Sequence, residues 1–339
     1  MPGFNNQIKQ VMMLLLLLLL IILVVKELYV FFPGLLGALT LYILSRGSYF
    51  QLIYNHKWKK SRTAWLYLLG YFALLALLLY FTFILLEKKV HPFLSDPEAT
   101  LNQAKQAIHE VQEKTGFTFV SAETLANFQQ KITALLPSLL NDTANLLSNL
   151  IIMLFVLYYM LVHCKEMESY LGRILPLKQQ NVDLLAAETK KVVRASALGI
   201  PIISIIQGIT ATVGYIIFGV DEFVLWGFLT GVFAFFPVVG TMIIWVPVVI
   251  YMFASGNTWN ATGLLIYSVI VTGNVDYLSR ITLLKRMGNI HPMVTVLGVI
   301  SGLGLFGFIG LIFGPLLVNY IIIIFKIYTN EFMEEKEVE

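Results

Sequence analysis

Charge and cysteine are both scarce in this 339-residue chain. Asp, Glu, Lys and Arg make up 13% of it, against about a quarter in soluble domains. Apolar types supply 58% and the mean hydropathy is +0.79. Such a surface cannot face water throughout and belongs in a bilayer, where roughly 18–20 apolar residues make one crossing. The single cysteine, Cys164, excludes an internal disulfide and a thiolate metal cluster. Beside Val162 and His163, at the end of an apolar run, it reads as a packing residue. Catalytic motifs are missing as well. No G-x-x-x-x-G-K-[ST] loop occurs, so nucleotide-driven pumping by this chain has no support. His109–Glu110 lacks the second histidine of a zinc-hydrolase helix. Only one acid lies in a late apolar segment, no Ser/His pair sits at membrane depth, and no basic–aromatic array suggests nucleic acid. The chain reads as non-enzymatic, without cofactor, metal or nucleic-acid partner.

What is present is a series of about eight apolar segments, near 11–25, 28–44, 64–86, 145–163, 197–219, 223–254, 259–279 and 291–327. The expected fold class is all-α: a polytopic transmembrane helical protein. The leucine-rich N-terminus carries Lys9 but no small-x-small cleavage site, and reads as an uncleaved first helix. Residues 1–86 form N-terminal membrane helices and 87–144 an extracytoplasmic helical segment. In the latter, Ser121 can cap a helix whose Leu125, Phe128, Ile132, Leu135 and Leu139 follow helical spacing. Residues 145–196 supply a crossing and a basic amphipathic connector along the interface. Residues 197–327 form a transport core, and 328–339 an acidic cytoplasmic tail. Positive loops stay cytoplasmic, so the loop 45–63, with Arg46, Lys57, Lys59, Lys60 and Arg62, places both termini inside a bacterial cytoplasmic membrane.

That orientation exposes a conflict. If 223–254 crossed once, 259–279 would run outward and leave Arg280, Lys285 and Arg286 outside. The conflict vanishes if 223–254 enters and leaves on one side, bending between Pro237 and Gly240, with Pro247 a second interruption. The run 291–327 begins with His291-Pro292 and is interrupted by Gly302, Gly304, Gly307, Gly310, Gly314 and Pro315. It reads as a second, oppositely inserted hairpin, or else as one long helix packed through its glycines. Broken backbone survives at membrane depth only where protein buries it or water reaches it, and in carriers such breaks mark solute and ion sites.

Asp276 and Arg280 stand four apart on one helical face, and an ionisable group at membrane depth is by default a functional candidate. Asp276 can exchange a proton or sodium ion with Arg280 as its counter-charge, and Asn274 and Thr272 can add neutral ligands. Otherwise the pair anchors a helix end at the interface. Gln207, Thr210 and Thr212 form a polar patch that either joins helices or binds solute; Thr230, Thr241, Ser301 and Asn319 lie in or beside the hairpins. Lys191 and Arg194 suit lipid headgroups, Trp226, Trp245 and Trp259 suit interface anchoring or packing, and Pro201 falls near a helix start.

The order IQGITATVGYIIFGV, GFLTGVFAFFPVVGTMIIWVP and NIHPMVTVLGVISGLGLFGFIGLIFGPLLVNY, over about 200–325, resembles the AI-2E family of bacterial membrane transporters. The shared motifs are Gln207-Gly208, Pro237-x-x-Gly240 with Pro247, His291-Pro292, and Gly307-x-x-Gly310-x-x-x-Gly314-Pro315. The sequence VDYLSRITLLKR departs from relatives that carry a proline soon after the Asp and Arg. The resemblance implies an exporter of small signalling molecules such as autoinducer-2, or a sodium/proton antiporter, assembled as a homo-oligomer, a pentamer, with elevator-like hairpin movement. A non-transporting membrane scaffold is the alternative of another class.

Overall fold

A computed structural model describes residues 2–95, 144–175, 177–236, 239–288 and 292–332. Among the described residues every regular element is a helix. In chain order these are α1 (Pro2–Leu28), α2 (Phe32–Tyr54), α3 (Lys60–Ser95), α4 (Ala144–Val162) and α5 (Cys164–Ile174). There follow α6 (Gln179–Ile217), α7 (Phe223–Phe233), α8 (Gly240–Ala254), α9 (Thr258–Tyr267), α10 (Gly273–Gly288), α11 (Pro292–Phe306) and α12 (Gly310–Phe332). Among the described residues six stretches are long and apolar enough to cross a membrane, and α7, α8 and α11 are shorter apolar helices. The chain is a multi-pass helical membrane protein. Most of the expected extracytoplasmic segment and its leucine stripe lie outside the described residues, as do Pro237, His291 and the acidic tail beyond 332.

Four sequence expectations change. Apolar spacing makes 11–25 and 28–44 separate crossings. Instead α1 runs into α2 through one 3-10 turn, Tyr29–Phe31, whose flanking residues keep right-handed helical dihedrals. The chain continues there without reversing. The basic run 164–196 suggests a connector separate from the next crossing. Only α5 is separate, whereas α6 runs unbroken through residue 196 for 39 residues, about 58 Å. Pro201 therefore lies deep inside a helix rather than near its start. Having no N–H, it leaves the Ala197 carbonyl without its helical donor. Pro247, expected as a second break, is likewise inside the continuous α8. Neighbouring helices make such prolines tolerable in membranes.

Both expected hairpins are present. Helix α8 folds back so that Trp245, Val248, Val249 and Met252 share one buried cluster with Val220, and Trp226 of α7 packs against it. Trp245 is thus a core residue, while Trp259 is exposed. Glycines make the second hairpin: a Cβ on Gly302 would lie 2.6 Å from Gly314 Cα, and one on Gly310 would overlap the Gly302 carbonyl. Packed main chain to main chain, α11 and α12 are antiparallel, and the reading of 291–327 as a single long helix is excluded. Gly304, by contrast, has nothing within 4 Å. Helix α6 is the spine between the hairpins. Its Ile200 packs with Val299 and Leu311, joined by Leu303 and by Phe235 of the first hairpin's turn.

The N-terminal helices form a second cluster around Tyr42, Tyr49, Leu157 and Leu161. Cys164 is buried in it, and burial pushes its thiol up, which suits packing and not reactivity. An ion pair ties α2 to α5. Arg46 Nη2 donates to Glu168 Oε2 at 2.7 Å, its Nε donates to Oε1, and the Tyr42 hydroxyl donates to Oε1 at 2.6 Å. The Arg46 hydrogen bond holds the Glu168 carboxyl below the usual carboxylate range. A carboxylate depressed in the folded state contributes stability that is complete above its unfolded pKa, about 4.3, and is lost as pH falls through the lower folded value. Thermal unfolding followed from pH 7 downward is expected to show this loss below about pH 4.3, and a shallower one in Glu168→Gln.

Candidate functional site

The site is built around the break in the first hairpin. Helix α7 ends at Phe233, and α8 begins at Gly240, where a Cβ would overlap the Phe233 carbonyl. Only glycine lets the second arm start that close. A helix end leaves carbonyls without intrahelical donors. One of them, Ala234 O, accepts a hydrogen bond of 2.6 Å from Arg280 Nη2. The same guanidinium turns its Nε to Asp276, 3.0 Å from Oδ1 and 3.1 Å from Oδ2. These two charged side chains are only 14% and 13% exposed, so little water screens them. One arginine fork therefore ties a carboxylate on α10 to the freed backbone of the hairpin. The pair does more than anchor a helix end.

Between α9 and α10 the helix widens into a π turn, Ser268–Thr272. Such insertions are rare and cluster at functional sites. The Thr272 carbonyl at its end accepts Gln207 Nε2 of α6 at 3.4 Å, and Gln207 is completely buried. Thr272, Asp276 and Arg280 follow at intervals of four, so a polar file runs from the π turn along α10, from the spine to the hairpin break.

The second hairpin's turn, Gly307–Ile309, contains Gly307 at φ +61°. That conformation is free for glycine and costly for other residues. The Leu305 carbonyl beside it accepts a bond of 3.0 Å from the Tyr29 hydroxyl, and Phe32 lies against Phe306 with ring centroids 5.4 Å apart. Each hairpin turn thus has a carbonyl held by a side chain from elsewhere: by a charged donor in the first, by a neutral one in the second.

The other expected residues scatter. Thr230 is fully buried but committed, to the Tyr215 hydroxyl at 2.9 Å and the Trp226 carbonyl at 2.7 Å. Thr210 and Thr212 bond carbonyls one turn back in α6, and Tyr267 caps the Thr210 carbonyl, so both serve helix packing. Asn274 is exposed and bonds Ile270 O, away from Asp276; Ser301 is exposed and bonds Leu297 O. Thr241 is buried in the first turn of α8. Asn319 lies on α12 with its Nδ2 buried and unpartnered. Pro292 opens α11, and Pro315 lies inside α12 against Gly298. Lys191 pairs with Glu188 at 3.3 Å. Sequence reasoning missed Ser204, Tyr29, the π turn and the Ala234 carbonyl. Of these, only a serine in an apolar run left any trace in the sequence.

A family profile described as AI-2E family transporter matches residues 11–330. The chain belongs to the AI-2E transporter family. Among curated relatives, a candidate transport protein of Helicobacter pylori is 25% identical over 240 residues, 68% of this chain and 67% of its own. One from Methanothermobacter thermautotrophicus is 27% identical over 199 residues, 56% of this chain and 59% of its own. YdiK of Escherichia coli, also a candidate transport protein, is 35% identical over 135 residues, 40% of this chain and 35% of its own. Across these three relatives the chain spans between about a third and two thirds of their length. The AI-2E profile extends well beyond the 200–325 core and takes in α1 to α5, where the sequence itself showed only a helix pattern.

Proposed function

We propose that this AI-2E family member is a secondary carrier of the bacterial cytoplasmic membrane. It exports a small polar solute of the autoinducer-2 kind by alternating access, without chemistry on the solute and without nucleotide. The single observation carrying this reading is the Arg280 fork on the Ala234 carbonyl. It puts charge and freed main chain together where a hairpin breaks inside an apolar core, an arrangement carriers use at their sites. Helices α7 and α8 span about 16 and 22 Å, short of a hydrocarbon core of about 30 Å. Their turn therefore lies within the bilayer, the C-terminus is cytoplasmic, and the hairpins move as a unit against the remaining helices. Assembly as a homo-oligomer, a pentamer, belongs to the same reading.

A second reading, cation/proton antiport, is favoured by one specific feature, the little-exposed Asp276–Arg280 pair. Proteoliposomes holding the purified chain separate the readings. With autoinducer-2 and with imposed sodium or proton gradients, solute flux is expected in the wild type. In Asp276→Asn an antiporter stops, whereas a carrier of neutral solute continues. Absence of any solute or ion flux would leave the scaffold as the surviving alternative.

A further inference from the structure

We propose that Ser204 and Gln207, where α6 meets the π turn, form a desolvated site for a sodium-sized monovalent cation. The inference rests on the carrier reading and adds to it the place of the coupling ion. Gln207 is wholly buried and Ser204 is 8% exposed, yet Gln207 Oε1 and Ser204 Oγ have no hydrogen-bond partner. A buried polar atom left unsatisfied costs about 1–3 kcal/mol, so two on adjacent turns of one helix call for an occupant.

The orientation of the amide is fixed by its surroundings. Its donor end faces the Thr272 carbonyl at 3.4 Å; turning it over would set two acceptors against each other. The free end is therefore an oxygen. Ser204 differs from its neighbours too. Thr210, Thr212 and Thr230 all bond a carbonyl one turn back in their own helix, the usual resting place for a hydroxyl in a helix interior. Ser204 makes no such bond, which leaves its oxygen lone pairs unused. Residues three apart share a face, so both side chains leave α6 on one side. The backbone nearby is also close at hand: Gly231 of α7 crosses here, so near that a Cβ would come within 2.9 Å of the Ser204 carbonyl. Neutral oxygens beside irregular backbone are the ligands carriers use for sodium. Asp276, one turn beyond Thr272, is already paired with Arg280, so the proposed ligands are neutral oxygens.

The test uses the purified full chain in detergent, its thermal unfolding titrated with sodium, lithium, potassium or choline chloride at constant ionic strength. Sodium, and not choline, is expected to raise the wild-type midpoint saturably. Ser204→Ala, which removes one oxygen and no existing bond, should weaken the apparent affinity roughly tenfold. Gln207→Glu, which keeps the shape and adds charge, should strengthen it. No sodium-specific rise in the wild type, or an affinity unchanged in Ser204→Ala, overturns the site; should Gln207→Glu not fold, Ser204→Ala decides alone. Solute flux in proteoliposomes without any sodium-specific stabilisation would remove the ion site and leave the carrier. Sodium stabilisation with no flux under any gradient would remove the carrier and leave the ion site.

Discussion

Arg280→Met is expected to abolish transport and to destabilise the protein by about 3–5 kcal/mol, the range for removing one partner of a buried ion pair. Two deficits combine. Asp276 loses its counter-charge in a setting where it is 13% exposed, and Ala234 O loses its donor. Arg280→Lys distinguishes holding the hairpin from simple charge balance. An ammonium restores the charge but is a single point, and it cannot reproduce a planar fork serving Asp276 and Ala234 at once. Most of the stability should return in this variant while transport stays depressed. Thermal unfolding in detergent alongside proteoliposome flux reads both quantities. Equal recovery of both in Arg280→Lys would show that the bond to Ala234 is immaterial.

Gly314→Leu is the second large effect, and it acts on folding. A Cβ there would overlap the Gly298 carbonyl and lie 3.0 Å from Gly302 Cα, so the obstacle is main chain that cannot rotate away. Ordinary overpacking costs about 1–3 kcal/mol. Forcing apart two helices in backbone contact exceeds this, and the expected result is loss of monodisperse protein on size-exclusion chromatography. Gly304→Ala is the matched control, with nothing within 4 Å of its Cβ position. Alanine should be neutral there, or stabilising by up to about 1 kcal/mol through helix propensity. Similar damage from both substitutions would mean that the close α11–α12 contact is not what the glycines provide.

The helical class and both hairpins are legible because their signals are local. Clustered glycine and proline inside an apolar run weaken helix continuity, and the basic cluster Arg280, Lys285, Arg286 restricts which way the chain can pass. The Asp276–Arg280 pair is legible for the same reason, as spacing along one helix. What links the pair to the first hairpin is not, because Arg280 and Ala234 are 46 residues apart and the acceptor is a carbonyl, which every residue carries. Proline misleads where neighbours compensate. Pro201 and Pro247 look like an edge and a break, and both sit inside continuous helices. The α1–α2 junction misleads for the opposite reason: Lys26 and Glu27 separate two apolar runs, but both lie within α1, which continues through a 3-10 turn into α2. Thr230 and Ser301 stand out by position, yet their hydroxyls are spent on nearby partners. Ser204 escapes notice because a serine among isoleucines carries no sign of whether its oxygen is engaged.

The widened turn at Ser268–Thr272 also governs aim. One additional residue in a helical repeat rotates everything downstream by about 100°. Without it the carboxylate and guanidinium would swing about a quarter-circle around the helix axis, away from the broken backbone. A single inserted position thus acts as a protractor, converting an unremarkable ion pair along a rod into one that reaches another part of the molecule.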